Sequence, residues 1–167
     1  ADVNADGGLD LLMIGMSSTT ARRLMTMGAG REAGIWGRHD AMRGPMSYGN
    51  RLYLFRDGHW IHSDAADHVA RSGWSWGVTS ADFDNDGDID FHIANGNISG
   101  RSARDYCTRF WRHDIYAGSG PDLALREVFL REMAPLLERD MSWNGYEHNP
   151  LFLSDGGSEF LNVAHLM

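Results

Sequence analysis

The nine residues Asp82-Phe83-Asp84-Asn85-Asp86-Gly87-Asp88-Ile89-Asp90 constrain this chain more than any other stretch. Side-chain oxygens recur at alternate positions, with a glycine at the sixth. A tight loop with this spacing can aim Asp82, Asp84 and Asp86 inward, add the Asp88 backbone carbonyl, and close with Asp90. That is the donor set of a hard cation, and calcium takes about 6–8 such oxygens. Gly87 permits the positive φ that the turn requires. A weaker copy, Asp2-Val3-Asn4-Ala5-Asp6-Gly7-Gly8-Leu9-Asp10, opens the chain. Its set would be Asp2, Asn4, Asp6, the Gly8 carbonyl and Asp10. It has one formal charge fewer among the side-chain ligands, so weaker binding is expected there. An Asp/Asn/Gly run is also what a solvated turn looks like. Repetition of the whole spacing, and the repulsion among so many carboxylates without a counter-ion, argue for two calcium sites.

An EF-hand begins in the same way but needs a bidentate Glu at position 12 and a helix on each side. Position 12 is Ile93 in one copy and Met13 in the other. The segments after the loops, Ile89 to Ala94 and Leu9 to Ile14, read as short buried strands. Trp76-Gly77-Val78-Thr79-Ser80-Ala81 is a further strand candidate, so the Asp82 loop is expected to join two strands of one sheet.

A second similarity supports repetition. Asn50-Arg51-Leu52-Tyr53-Leu54-Phe55-Arg56-Asp57-Gly58 resembles Asn149-Pro150-Leu151-Phe152-Leu153-Ser154-Asp155-Gly156. Each is followed by an aromatic strand start, Trp60-Ile61 or Phe160-Leu161, and each predicts a hairpin with a tight Asp-Gly turn. Loops and hairpins repeat at different offsets, so two inserts of unequal length, residues 17–48 and 98–146, separate them. In the first, Ser18 or Thr19 caps a predicted helix over Thr20 to Met27. In the second, Pro121 leads into a helix over Asp122 to Met133 with an apolar face at Leu125, Val128 and Phe129.

These residues are similar to FG-GAP/VCBS repeats, the calcium-loop blades of integrin-α-like β-propellers. The resemblance rests on the Asp82–Asp90 loop, Trp74-Ser75-Trp76-Gly77 before it, Asn95-Gly96 after it, and the Asn-x-Leu-aromatic-Leu hairpins. It is nearest the cartilage-acidic-protein-like, ASPIC-associated branch, and it leaves out the inserts. It implies a mainly β fold: a partial β-propeller of about two four-stranded blades with helical insertions. A full propeller has about seven blades, so residues 1–167 are expected to be part of one propeller domain completed by further chain.

Composition limits the partners. A net charge of −8, with all 15 basic residues arginine, disfavours nucleic acid and anionic membranes. The single cysteine, Cys107, allows no internal disulfide, and no apolar run reaches the ~18 residues of a membrane span. Modest-affinity calcium loops suit millimolar calcium, so a secreted, periplasmic or cell-surface location is expected. The expected role is a structural or interaction scaffold, binding protein or glycan through the inserts.

Two alternatives are compatible with the same residues. A glycan-processing enzyme could use His113, Glu147 or His148, although the adjacent pairs His113-Asp114 and Glu147-His148 face opposite ways on a strand. A subunit of a larger surface assembly could dock through Asp122–Met133. Trp74, Trp76, Trp111 and Trp143 are expected in the core; exposed, they would form a sugar platform.

Overall fold

The computed structural model describes residues 1–18, 44–97 and 145–166, together with Ser142 and a few helical positions between 127 and 138. The predicted helix over Thr20 to Met27 lies outside the described residues. So do most of Asp122–Met133, and Cys107, Trp111, His113 and Trp143. The chain divides into two compact units: residues 1–17, 48–95 and 148–167 form one, and residues 18–47 and 96–147 the other. In the second, the Ser18 amide donates to the Ser47 carbonyl at 3.3 Å, and Gly145 lies against the Asn97 backbone.

The first unit is mainly β. Strands β1 (Leu11–Met13), β2 (Arg51–Arg56) and β3 (His59–His62) form a three-stranded antiparallel sheet in that order. Helix α1 (Ala66–Ala70) comes next. Strands β4 (Ser75–Ala81), β5 (Asp90–Asn95), β6 (Leu151–Asp155) and β7 (Glu159–Asn162) form a four-stranded antiparallel meander. Four consecutive antiparallel strands are one propeller-like blade, and β1–β3 repeat β5–β7 in order and pairing. The first sheet has no counterpart of β4 among the described residues. Even so, Ala1 accepts a hydrogen bond from the Asp10 amide at 2.7 Å, the place where Ala81 pairs with Asp90 in the second repeat.

The strands obey the alternation of their sequences. Along β2, Leu52 and Leu54 are buried while Tyr53 and Phe55 face outward, where they pair across the strands with His62 and Trp60 at ring distances of 5.4 and 5.5 Å. One core joins the repeats: Leu12 and Leu52 from the first sheet, Phe91, Ile93, Phe152 and Phe160 from the second, and Val3, Ala65, Ala66 and Val69. Each large apolar side chain buried there contributes about 1.5–3 kcal/mol. Phe91 and Phe160 stack at 5.4 Å.

Three features differ from the sequence reading. Leu11 and Met13 of β1 are exposed rather than buried: only Leu12, on the opposite face of the strand, packs against the core, whereas their counterparts Phe91 and Ile93 lie within it. Trp74 is buried as expected, but Trp76 is 64% exposed; the register shift between Ser75 and Gly77 turns it outward. The first hairpin has the expected two-residue Asp57-Gly58 turn, both at positive φ. The second has three turn residues, Gly156 to Ser158, with Asp155 still paired to Glu159.

Helix α1 has no signal in the sequence. It buries Ala66, Val69 and Ala70, one helical face. Its terminal carbonyls are satisfied by Asn50, whose backbone amide donates to Ala70 O at 3.0 Å and whose Nδ2 donates to Val69 O at 2.8 Å. Asn50 Oδ1 accepts from the Gly15 amide at 3.0 Å, so this buried residue fastens β1, β2 and α1 together. Asn149 repeats the β-side contact, accepting from the Asn95 amide at 2.8 Å.

Gly49 admits Asn50 to this position. It has φ +105°, and an added Cβ would stand 1.8 Å from Ala70 O. Gly49→Ala is therefore expected to cost at least ~2 kcal/mol in chemical denaturation, through backbone strain and the broken helix cap. Gly58→Ala, at φ +79° with open space around it, should cost about 1 kcal/mol. Equal losses would remove the Ala70 contact as the reason for glycine at position 49.

Candidate metal loops

The two acidic loops share one backbone. In the second, Asp82 Oδ1 accepts from the Asp86 amide at 3.1 Å and Oδ2 from the Gly87 amide at 3.0 Å. In the first, Asp2 accepts from Asp6 and Gly7 at 3.1 and 2.9 Å. Asp86 Oδ1 accepts from the Asp88 amide at 2.9 Å, as Asp6 Oδ1 does from Gly8 at 2.8 Å. Residue 4 of each loop, Asn85 or Ala5, has positive φ, and so does the glycine at position 6. Asn tolerates that conformation, whereas Ala5 is strained by about 1–2 kcal/mol.

Asp90 and Asp10 hold a special place. Asp90 is fully buried, and its Oδ2 and Oδ1 accept from the amides of Phe83 and Ser154, each at 2.8 Å. Asp10 accepts in the same way from Val3 at 2.9 Å and Phe55 at 2.8 Å. The ninth residue therefore ties the start of its own loop to the next strand of the sheet. Each carboxylate oxygen has a second lone pair, so these bonds leave ligand capacity in place.

Asp82, Asp84 and Asp86 each offer an oxygen within 4.8 Å of the others, and all three are exposed. The donors are hard oxygens with no sulfur or imidazole among them, which fits calcium or magnesium rather than a transition metal. The Asp88 carboxylate turns to the second hairpin, accepting from the Gly156 amide at 2.6 Å. In the first loop, position 7 is Gly8, where a Cβ would come within 2.9 Å of Asp6 Oδ1.

The electrostatics of the loops differ. Partial desolvation, then the charges of Asp86 and Asp90, push the Asp84 carboxyl above its ordinary value. With no cation, ionising Asp84 costs the fold stability as pH rises through the carboxylate range. Asp6 goes the other way: the Gly8 amide, the Asn4 side chain and the Arg56 charge hold its carboxyl low. That contribution is present above the ordinary carboxylate range and is lost as pH falls through it.

The expected groups Asp82, Asp84 and Asp86 are thus brought together, with Asp90 beneath them and Asp88 drawn toward a neighbouring turn. Sequence reasoning missed the amides of Phe55 and Ser154, which carry no side-chain signal. Of the residues weighed for catalysis, His148 stands edge-on to His165 at 4.9 Å.

Over residues 2–93 the sequence matches the FG-GAP-like repeat family. The chain belongs to that family. Comparison with curated proteins and with solved structures finds no significant match. The family match covers both acidic loops and the first hairpin and ends inside β5. The FG-GAP-like repeat therefore places its acidic loop between the strands of a blade, and hairpin β6–β7 completes the second blade beyond the matched region.

Replacing Asp90 would leave two backbone donors unpaired. Asp90→Ala is expected to cost about 2–6 kcal/mol even in chelator, because each unsatisfied buried N–H costs roughly 1–3 kcal/mol. Asp88→Ala should cost under about 1 kcal/mol. Denaturation of both variants in EDTA checks this; comparable losses would refute a structural role for Asp90 beyond ligation.

Proposed function

We propose that this FG-GAP-like chain is a calcium-stabilised segment of a β-propeller scaffold that works outside the cytoplasm. The observation that carries the reading is the convergence of Asp82, Asp84 and Asp86 in a loop fastened at both ends to strands of one sheet. A divalent ion there would neutralise charges that otherwise repel, and would couple folding of the blade to calcium. Asp82, Asp84 and Asp86 would hold it with side-chain oxygens, with Asp90 and the Asp88 carbonyl completing the set. Exposed carboxylate loops of this kind suit the millimolar calcium found outside cells. The net charge of −8 fits the same setting, since bound calcium offsets part of it.

The scaffold reading extends to partners. Residues 17–48 and 98–146 interrupt the repeat between strands, and connecting segments of that kind carry specificity in repeat proteins. We place protein or glycan recognition in them, and assign the chain to the cartilage-acidic-protein-like branch on its loop and hairpin motifs.

Calcium at about 100-fold above its Kd stabilises a protein by roughly 2.7 kcal/mol. For a chain of this size, that raises Tm by about 5–10 °C. Scanning calorimetry with and without EDTA should show this shift, and titration calorimetry should show calcium binding that Asp82→Ala weakens at least tenfold at the tighter site. An identical melt in EDTA, with no heat of calcium binding, would sink the proposal.

A further inference from the structure

The first sheet leaves an aromatic face open. Its register places Leu11, Tyr53 and His62 side by side, with Phe55 beside Trp60 and Met13 beside Arg51. In the second sheet the same places are taken by Phe91, Phe152 and Asn162, with Ser154 beside Phe160. There the face is buried, in the seam against Leu12 and Leu52 of the first sheet. Trp60 is 59% exposed, whereas its counterpart Phe160 is 7% exposed. The first sheet thus turns to solvent the face that the second sheet packs.

The reverse holds for the other face. Leu151 and Leu153 stand where Leu52 and Leu54 stand in the first sheet, and Leu161 where Ile61 stands. Leu161 is 65% exposed and Leu153 half-buried. Each repeat therefore has an aromatic face and a leucine face. One of each meets in the seam, and one of each is open. The charges of the open pair are opposite. Arg51 lies on the aromatic face, which has no carboxylate among its strand residues. Asp155 and Glu159 share the leucine face with Leu153 and Leu161.

We propose that copies of this chain associate head to tail, the aromatic face of β1–β3 in one copy receiving the leucine face of β6–β7 in the next. The contact repeats between copies the seam that joins the two repeats within one. It pairs unlike faces, so it is heterologous and extends to a ring or a stack. A contiguous exposed apolar patch marks an interaction site. A sugar is the other ligand such a face suits, but its buried counterpart in the second repeat favours a sheet. Opposite charges on the two faces orient the approach. Neither acidic loop takes part, so the proposal stands apart from the calcium reading.

Trp60→Glu spoils the aromatic face alone and Leu161→Glu the leucine face alone. Sedimentation equilibrium of the whole chain is expected to show wild-type association that grows with concentration. Each variant by itself should associate at least tenfold more weakly. Mixed, the two should form a 1:1 complex, because the Leu161→Glu copy keeps its aromatic face and the Trp60→Glu copy its leucine face. Circular dichroism checks that each variant is folded; Met13→Glu and Leu161→Gln replace any that is not. A wild type that stays monomeric up to about 100 μM would overturn the proposal and leave the aromatic face to a sugar or another protein. So would association that both variants retain, or monomeric variants that do not combine when mixed. Association lost with Trp60→Glu but kept with Leu161→Glu would make the contact a symmetric one between like faces, and would overturn the head-to-tail arrangement.

Discussion

The fold depends on a buried carboxylate at the end of each acidic loop. A charge taken out of water is costly unless hydrogen bonds or a counter-charge compensate it. Asp90 receives one backbone amide on each oxygen, one from the start of its own loop and one from β6. Its oxygens are reached only when the loop is closed and β6 lies beside β5, so burial of the charge and assembly of the sheet occur together. Asp10 imposes the same condition on β2. A propeller-like blade must hold antiparallel strands in register although long inserts separate them in sequence, and these aspartates set that register from one end. Asn50 and Asn149 set it from the other, by accepting the amides of Gly15 and Asn95.

Between these polar fasteners lies the apolar seam that joins the repeats. Leu52 and Leu12 meet the Phe91, Phe152 and Phe160 face of the second sheet, and α1 fills the gap with its small Ala66 and Val69 side chains. His68 on α1 accepts the Phe160 amide at Nδ1, at 3.1 Å, so the helix also fastens one repeat to the hairpin of the next. Repeat proteins gain stability mainly from such neighbour interfaces. In this chain the interface is shared by a helix that, among the described residues, only the first repeat possesses.

Much of this was legible in the sequence, for identifiable reasons. Loops and strands were readable because spacing alone specifies them: alternate acidic residues with glycine at the sixth place, then alternating apolar residues. Failure of the EF-hand pattern at Ile93 and Met13 pointed to strands, and strands are found. Helix α1 was hidden because five residues give too little period to read. The roles of Phe55 and Ser154 were hidden because a backbone amide has no residue identity. The exposure of Trp76 depends on a register shift, and that of Leu11 and Met13 on which face of the sheet meets the core; both are set by tertiary packing rather than by composition.

The duplicated frame also explains how the repeats can differ in chemistry without differing in shape. The bonds from Asp2 and Asp10, or from Asp82 and Asp90, hold the loop whatever occupies position 3. That position therefore carries a carboxylate in one loop and, in the other, an amide that donates to Asp6. A change from oxygen to NH₂ at position 3 alters the loop's internal hydrogen bonding and leaves the backbone frame where it was. A repeat architecture makes such changes tolerable because each loop is closed by its own blade.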